Sequence, residues 1–286
     1  MKSVKQSFKL ITLSRPYSWI KNLFIFIPLF FAKDLFVDHK FIKVTLAFVV
    51  FCITASSVYI INDIFDKEQD QKHDLKKDRP LASGAVSTTT AILTFVGLLI
   101  IDIVIIYFFI PQIAWLVGLY FILNILYSGY LKHIPVLDLL MVSSFYFIRI
   151  MVGGIAADVL ISHWLLICII FISLFLIVGK RLAEFNRDEK RTVLLQYSRN
   201  FLNKTLIVLA FLVVIFYTLY SLFVLKSNFE IFSIFLVAMG IMRYLFLAFT
   251  THRAEYPEKI LITDKILFSI IFVWILVIYF IIYLHV

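Results

Sequence analysis

The chain has 286 residues, of which 62% are hydrophobic and only 16% charged, with a formal net charge of +9. Its mean hydropathy of +0.99 excludes a soluble globular domain of this length and indicates a polytopic helical membrane protein. The excess of positive charge lies in loops between apolar stretches. It therefore bears on membrane topology and does not indicate a nucleic-acid partner.

The apolar stretches predict an all-α fold, in which about nine transmembrane helices form a bundle within a single integral-membrane domain over residues 1–286. The predicted spans are Ile20–Ala32, Phe41–Ile61, Thr90–Ile110, Ile113–Leu131, Val136–Ala156, Trp164–Val178, Thr205–Leu225, Ile231–Thr250 and Ile262–Tyr283. The first is short and contains Pro28, so its signal is the weakest of the nine.

The distribution of basic residues predicts the orientation in a cell inner or plasma membrane. With the N-terminus in the cytoplasm, 22 of the 27 Lys and Arg residues fall on the cytoplasmic side and 4 outside, and Arg149 lies within a span. Such a split is typical of the positive-inside rule. Nine spans then place the C-terminus outside and concentrate the polar loops around a cytoplasm-facing pocket.

An acidic segment follows the second predicted span directly. On a helix with roughly 100° per residue, Asp63, Asp66, Asp70 and Asp74 fall within about 80° of one another. Four carboxylates on one face require a positive partner. Because the ligands are all oxygens, the pattern favours Mg²⁺ shared with a substrate's phosphates over a merely solvated acidic face.

Basic and acidic residues elsewhere suggest a polyanionic substrate. Arg79 closes the acidic loop and could clamp a phosphate with its guanidinium fork. Arg149 lies inside the fifth predicted span, either for function or in an internal ion pair, for example with Asp102. Lys180 could meet a diphosphate or simply pair with Glu184 four residues later.

Several motifs together resemble a known family. The segment Asn62–Asp63–x–x–Asp66–x–x–x–Asp70 is similar to the first signature of the UbiA-type prenyltransferase superfamily. The finer resemblance is to its decaprenyl-phosphate phosphoribosyltransferase branch. It rests on Arg15–Pro16–x–x–Trp19–Ile20–Lys21–Asn22, Lys77–x–Arg79–Pro80–x–Ala82–Ser83–Gly84, Tyr127–Ser128 with Leu131–Lys132 and Asp138, Gly179–Lys180–Arg181–x–Ala183–Glu184, and Pro257–Glu258 with Asp264.

One departure favours that branch. Aromatic prenyltransferases of the superfamily carry a second Asp-x-x-x-Asp motif. Here Asp138 is followed four residues later by Val142, so the second aspartate is missing. A second acidic cluster would anchor another Mg²⁺ on a prenyl diphosphate, and its loss suggests a different donor or a single-metal site.

The resemblance implies a Mg²⁺-dependent membrane transferase. It would move a 5-phosphoribosyl group from phosphoribosyl diphosphate to a polyprenyl phosphate at the cytoplasmic face, and a homo-oligomer is possible. The implied metal ligands are Asn62, Asp63, Asp66 and Asp70, and the implied catalytic residues are Asp63, Asp66, Asp70, Lys132 and Asp138. The implied substrate-binding residues are Lys21, Asn22, Asn62, Asp74, Arg79, Tyr127, Arg149, Lys180, Arg181 and Glu184.

Two alternatives remain open. The chain could transfer a prenyl group from a polyprenyl diphosphate to an aromatic or quinone precursor, using the same first acidic cluster. It could instead be a transporter or lipid-binding protein, although transporters usually place polar groups at the membrane midplane. The missing second acidic motif weighs against the first alternative, and the predicted gathering of charges at the inner surface weighs against the second.

Overall fold

The structure is a computed structural model that describes residues 11–72, 76–186, 193–227, 229–251, 254 and 257–284. All regular structure in these ranges is helical. The α-helices are α1 (Ile27–Phe31), α2 (Asp38–Phe65), α3 (Lys67–Gln71), α4 (Thr88–Phe109), α5 (Ala114–Gly129), α6 (Leu137–Ala157), α7 (His163–Asn186), α8 (Arg199–Tyr220), α9 (Glu230–Thr250), α10 (Pro257–Thr263) and α11 (Lys265–Tyr283).

Shorter helical turns connect these elements. The segments Pro16–Phe26, Pro111–Ile113, Leu131–His133 and Leu194–Gln196 are 3₁₀ helices, and Ser221–Leu225 forms a π-helical turn after α8. Side-chain caps fix several helix starts: Ser87 accepts from Thr90 N at 3.1 Å, and Asp264 accepts from Leu267 N at 2.9 Å. Thus α4 begins at Thr88, two residues before the predicted start of that span.

Eight helices in the described ranges are long and apolar enough to cross a membrane. They correspond to the second through ninth predicted spans, so the prediction of a multi-pass helical membrane protein is confirmed. The first predicted span instead comprises the 3₁₀ helix Pro16–Phe26, of 11 residues, and the 5-residue α1. Pro16 and Pro28 each lack a backbone N–H, which limits regular α-helical hydrogen bonding there. A ninth crossing therefore stays a prediction.

The chain divides into two compact units. Unit 1 comprises the chain up to Gly129 together with Ile148–Val159, and unit 2 comprises Tyr130–Phe147 together with the chain from Leu160 onward. Within unit 1, α2 packs against the 3₁₀ helix Pro16–Phe26, α4 and α5. Within unit 2, α7 packs against α8, and α9 packs against both α8 and α11.

The surface of α4 is suited to lipid. Only 6% of its most apolar 18-residue stretch is buried inside the protein, although its mean hydropathy is 2.7. Apolar side chains such as Ile103, Phe108 and Phe109 are more than half exposed. A helix that is hydrophobic on nearly all sides and yet exposed matches a membrane environment.

Candidate active site

A compact loop in unit 1 positions Arg79. Ser83 N donates to Arg79 O at 2.9 Å, and Val86 N donates to Pro80 O at 2.9 Å, which closes the turn. Gly84 adopts φ +72°, a left-handed conformation that glycine tolerates best. Leu81 is buried in a small core with Ile60 of α2, so the loop is anchored on the end of that helix.

Arg79 bridges two carboxylates of the acidic segment. Its Nη1 donates to Asp70 Oδ2 at 2.6 Å and to Asp63 Oδ1 at 3.2 Å. Arg15 Nη2 donates to the same Asp63 oxygen. We call these four residues, Arg15, Asp63, Asp70 and Arg79, the carboxylate–arginine cluster. The positive partner that the acidic segment requires is thus supplied by two arginines of the chain itself.

The acidic segment is not one continuous helix. Helix α2 ends at Phe65, Asp66 adopts φ −88° and ψ 2°, and α3 starts at Lys67. The backbone nonetheless keeps i to i−4 hydrogen bonds from Asp66 N to Asn62 O and from Asp70 N to Asp66 O. This helical periodicity places Asp63 and Asp70 within reach of the same arginine. Asp74 lies outside the described residues.

The backbone of Arg15 is strained. It has φ 49° and ψ 59°, in the left-handed region, immediately before Pro16. A non-glycine residue there is uncommon, and such strain persists only where the surroundings determine it. The guanidinium of Arg15 lies 5.0 Å from the centre of the Tyr59 ring and also binds Asp63. These contacts hold the entry of the 3₁₀ helix against the end of α2.

The oxygen donors of this segment fit Mg²⁺ in chemical type. Asn62 Oδ1 is buried with no hydrogen-bond partner, in the residue that precedes Asp63 in α2. Such hard oxygen ligands are those that Mg²⁺ prefers. No group of three or more His, Cys, Asp or Glu side chains within the described ranges is arranged around a common metal position. Asp63 and Asp70 are hydrogen-bonded to the arginines.

Arg149 of α6 lies deep in unit 1 and is 5% exposed. Its Nε donates to Asn22 Oδ1 at 2.8 Å, and its Nη2 donates to Tyr120 Oη at 3.1 Å. The guanidinium also lies over the rings of Tyr120 and Phe51, at 5.1 and 5.9 Å from their centres. Asn22 is fully buried and donates to Cys52 Sγ at 3.3 Å, so its amide orients Arg149.

The suggested ion pair between Arg149 and Asp102 is wrong. Asp102 instead forms a hydrogen bond with Thr54, whose Oγ1 lies 2.7 Å from Asp102 Oδ2. Both partners of Arg149 named above are neutral. The cation is thus stabilised by hydrogen bonds and aromatic faces without that carboxylate.

Unit 2 contains a separate buried network around Asp138 and Arg181. Asp138 is 0% exposed, accepts from Arg181 Nε at 2.8 Å and accepts from Tyr197 Oη at 2.6 Å. Arg181 Nη1 also donates to Glu184 Oε2 at 2.6 Å. Lys180 Nζ lies 3.7 Å from Glu184 Oε1, which is the i, i+4 pair considered from the sequence.

Tyr197 completes this network and fixes the start of α6. Its hydroxyl accepts from Val136 N at 2.7 Å while it donates to Asp138. Val136 has φ 67°, a strained conformation for a β-branched residue. Burial, and secondarily the hydrogen bond to Asp138, raise the pKa of Tyr197 above its ordinary value of 10.0. The hydroxyl therefore stays protonated and can donate at neutral pH.

Three further predicted site residues lie in helical elements. Lys21 lies in the 3₁₀ helix Pro16–Phe26, Tyr127 in the last turn of α5, and Lys132 in the 3₁₀ helix Leu131–His133. All three are partly buried. Their direct contact with substrate stays a prediction, as it does for Asp66, Asp138, Arg181 and Glu184.

Sequence reasoning assigned no role to Tyr197, Thr54 or Arg15. Tyr197 is 59 residues from Asp138 and Thr54 is 48 residues from Asp102, so no local spacing signals either contact. Arg15 did carry a signal, because Arg15–Pro16 belongs to a motif of the resemblance.

The described helices are those of a multi-pass membrane protein, and buried polar clusters lie among them. The chain matches the UbiA prenyltransferase family over residues 23–190. Because this match covers more than half of its length, the chain belongs to the UbiA prenyltransferase family.

Individual relatives agree with this assignment. The chain is 31% identical over 275 residues to a protein from Corynebacterium glutamicum named decaprenyl-phosphate phosphoribosyltransferase, and the match covers 91% of this chain and 82% of that one. A protein of the same name from Mycolicibacterium smegmatis is 39% identical over 186 residues, covering 63% of this chain and 58% of its own length.

A solved structure shares the fold. The UbiA homologue from Archaeoglobus fulgidus bound to DMAPP and Mg²⁺ superposes with a TM-score of 0.74, covering 96% of this chain and 97% of that one, at 16% identity. At that identity the likeness concerns the fold alone.

Proposed function

We propose that this protein transfers a 5-phosphoribosyl group from phosphoribosyl diphosphate to a polyprenyl phosphate and releases diphosphate, at the cytoplasmic face of the membrane. The observation that carries the proposal is the carboxylate–arginine cluster, in a chain whose relative over 91% of its length bears a phosphoribosyltransferase name. Carboxylates beside a guanidinium are the groups needed to bind a metal–diphosphate.

Asn62, Asp63, Asp66 and Asp70 would hold Mg²⁺ in this proposal. When bound, the ion supplies charge neutralisation for the leaving diphosphate. The unpartnered Asn62 Oδ1 and the oxygen-only donor set support this role. The Archaeoglobus fulgidus homologue, which binds Mg²⁺ together with DMAPP, supports it as well.

Arg79 would bind the donor's diphosphate. Arg79 is held by Asp63 and Asp70, and its side chain is 28% exposed. A phosphate would compete with these carboxylates for the guanidinium. Because bidentate arginine–phosphate bonds are charge-assisted, such an exchange keeps the arginine satisfied.

The chemical step needs few protein groups. The bond between the ribose C1 and the diphosphate oxygen breaks with its electron pair going to the diphosphate, and a phosphate oxygen of the lipid forms the new bond to C1. The acceptor oxygen is already anionic, so no strong protein base is required. Fixed positive groups stabilise the charge on the departing diphosphate.

We assign the acceptor's phosphate to Lys21 or Arg149. Arg149 is positioned by Asn22 and Tyr120 and lies among apolar helices that suit an isoprenoid tail. An arginine at that depth is rare without a functional reason.

In unit 2, Lys132 and Lys180 are proposed to contribute positive charge toward the anionic donor. Asp138, Arg181 and Glu184 form a saturated buried network. We assign to them the positioning of the first turn of α6 and of Lys180. Tyr127 is assigned to donor binding on the resemblance alone.

The direct test uses purified protein, Mg²⁺, labelled phosphoribosyl diphosphate and a polyprenyl phosphate. We expect label to move to the lipid with release of diphosphate, and excess EDTA to stop it. Prenylation of 4-hydroxybenzoate from geranyl diphosphate, without phosphoribosyl transfer, would replace this proposal with the prenyltransferase alternative. The prenyl diphosphates in two Archaeoglobus structures make that comparison necessary.

A further inference from the structure

Unit 1 contains a cavity of about 400 Å³ apart from the clusters described above. One side is formed by Leu99, Asp102, Ile106 and Tyr107 of α4, and the other by residues of α5 such as Val117. Its volume lies within the range of small-molecule sites in proteins. The walls are almost entirely apolar, and they include exposed residues of α4 such as Ile103 and Tyr107.

Gly118 lines the cavity on the α5 side. A Cβ atom added at Gly118 would meet no heavy atom within 4 Å. A larger side chain at this position would therefore extend into open space.

Asp102 is one of the few polar residues among the apolar residues that line the cavity. The residue is 3% exposed, and its Oδ1 has no hydrogen-bond partner. Its other oxygen, Oδ2, lies 2.7 Å from Thr54 Oγ1. A buried polar atom without a partner is costly, so Oδ1 calls for a donor that the protein does not provide.

The number of hydrogens available to Thr54 and Asp102 indicates that Asp102 is protonated. Thr54 Oγ1 also lies 2.9 Å from Val50 O, four residues earlier in α2. A hydroxyl has one hydrogen and cannot donate to both acceptors. A proton on Asp102 Oδ2 satisfies both contacts, since Asp102 then donates to Thr54, and Thr54 donates to Val50. This arrangement leaves Oδ1 as a neutral carbonyl acceptor and avoids an unpaired buried charge.

We propose that this cavity is a binding site for an uncharged lipid alcohol, whose hydroxyl donates to Asp102 Oδ1 while its hydrocarbon chain fills the space between α4 and α5. The apolar walls suit a chain, and the one unpartnered acceptor suits one hydroxyl. An anionic head group is disfavoured beside a carboxyl group, and so is a hydrocarbon without a donor. The proposal does not depend on the proposed enzymatic function.

The depth of Asp102 agrees with such a ligand. It lies 14 residues after the start of α4 and 7 before its end, or about 10 Å along the helix axis from the nearer end at roughly 1.5 Å per residue. A charged head group at that depth would be expensive to desolvate, whereas a hydroxyl needs only one partner.

The test measures saturable binding of tritiated farnesol to the purified full-length protein in detergent, with unlabelled competitors. Dioctanoylglycerol as a competitor distinguishes an acylglycerol source from an isoprenoid source of the hydroxyl. Farnesyl methyl ether has the same chain but no donor, and we expect it to bind about fivefold more weakly. Equal affinity for the ether, or no saturable binding of either alcohol, would overturn the proposal.

Four variants assign the binding to this cavity. Asp102→Asn should retain it, because the amide can donate to Thr54 and still present a carbonyl oxygen. Asp102→Leu should weaken it about fivefold, and Gly118→Leu should abolish it by filling the space. Gly97→Leu, a matched change on α4 outside the cavity lining, should leave it unchanged.

Two outcomes would contradict the assignment. Tighter binding of farnesylamine that is lost in Asp102→Asn would show a charged carboxylate and a cation site. Unchanged farnesol binding in Gly118→Leu would place the alcohol elsewhere, and this variant decides the question even if Asp102→Leu fails to fold.

Discussion

Arg79 and Asp70 form an ion pair in which Nη1 lies 2.6 Å from Oδ2, and the same nitrogen reaches Asp63 at 3.2 Å. One guanidinium thus ties the last turn of α2 to α3. It neutralises two of the carboxylates that the proposed function assigns to Mg²⁺. The structural and the proposed substrate-binding roles of Arg79 can therefore be separated by measuring stability and kinetics on the same variant.

Substituting Arg79→Gln should lower the unfolding free energy by about 2 kcal/mol, between the values for exposed and buried ion pairs, because Asp63 and Asp70 lose a shared partner. The KM for phosphoribosyl diphosphate should also rise. Thermal unfolding and steady-state kinetics measure the two effects. Arg199→Gln, at an exposed arginine of α8, is the control. If the folded Arg79→Gln protein has the wild-type KM, Arg79 does not take part in binding the donor.

Substituting Asp66→Asn should abolish turnover while leaving expression and monodispersity intact. The side chain keeps its size but loses the charge that a Mg²⁺ ligand provides. Glu68→Gln, at an exposed carboxylate of α3, is the matched control and should keep its activity. Near wild-type turnover in Asp66→Asn would show that the acidic segment is a solvated surface feature and not a Mg²⁺ site.

Substituting Tyr197→Phe should cost about 2 kcal/mol of stability, because Asp138 loses a donor and Val136 N loses its acceptor. The raised pKa of Tyr197 means that its stabilising effect is present below pH 10 and is lost as the pH rises above that value. Melting temperatures should therefore differ between wild type and Tyr197→Phe at pH 8 and converge at higher pH. A constant difference up to pH 11 would contradict this linkage.

Hydropathy and charge predicted the helices of this fold well, because lipid exposure demands long apolar runs whatever their packing partners are. The predicted span Thr90–Ile110 differs from α4 by two residues at its start and one at its end. The conformation of Pro16–Phe31 was harder to predict from the sequence. A 3₁₀ helix and a short α-helix have the same apolar composition as a crossing segment, and their form depends on the two prolines and on contacts with α2.

The acidic segment and Arg79 could be recognised because their partners lie within one loop, 9 and 16 residues apart. The partners of Asp102 and Asp138 could not, because Thr54 and Tyr197 are brought to them only by helix packing. An ion pair between Arg149 and Asp102 was suggested from the sequence only because both charged residues lie within predicted spans. The neutral side chains that are their actual partners cannot be recognised from the sequence in this way.

A reporter fused at Val286 should be located outside the cytoplasm, according to the split of 22 cytoplasmic against 4 external basic residues. A fusion at the N-terminus should report the cytoplasm. Eight described helices meet the length criterion, so the location of Val286 decides whether the segment around Pro16–Phe31 crosses as well. A cytoplasmic signal at Val286 with a cytoplasmic N-terminus would mean an even number of crossings.

Phosphoribosyl diphosphate should raise the melting temperature of the purified protein in the presence of Mg²⁺, because a ligand that binds only the folded state stabilises it by mass action. The proposed site should be more basic than a prenyl diphosphate needs, since the donor's 5-phosphate requires its own cationic partner. Lys132→Gln and Lys180→Gln should therefore weaken donor binding more than lipid binding. Because the interaction is electrostatic and these lysines are partly exposed, the loss should shrink at high salt.

Lys204→Gln, at an exposed lysine of α8, changes the net charge equally and should leave the melting shift intact. Geranyl diphosphate, measured side by side with Mg²⁺, provides the decisive comparison because it carries a diphosphate but no sugar phosphate. A shift with phosphoribosyl diphosphate that falls in Lys180→Gln supports the phosphoribosyl donor. A shift with geranyl diphosphate alone, insensitive to both lysines, would overturn it, because the cations of unit 2 would then have no part in donor recognition.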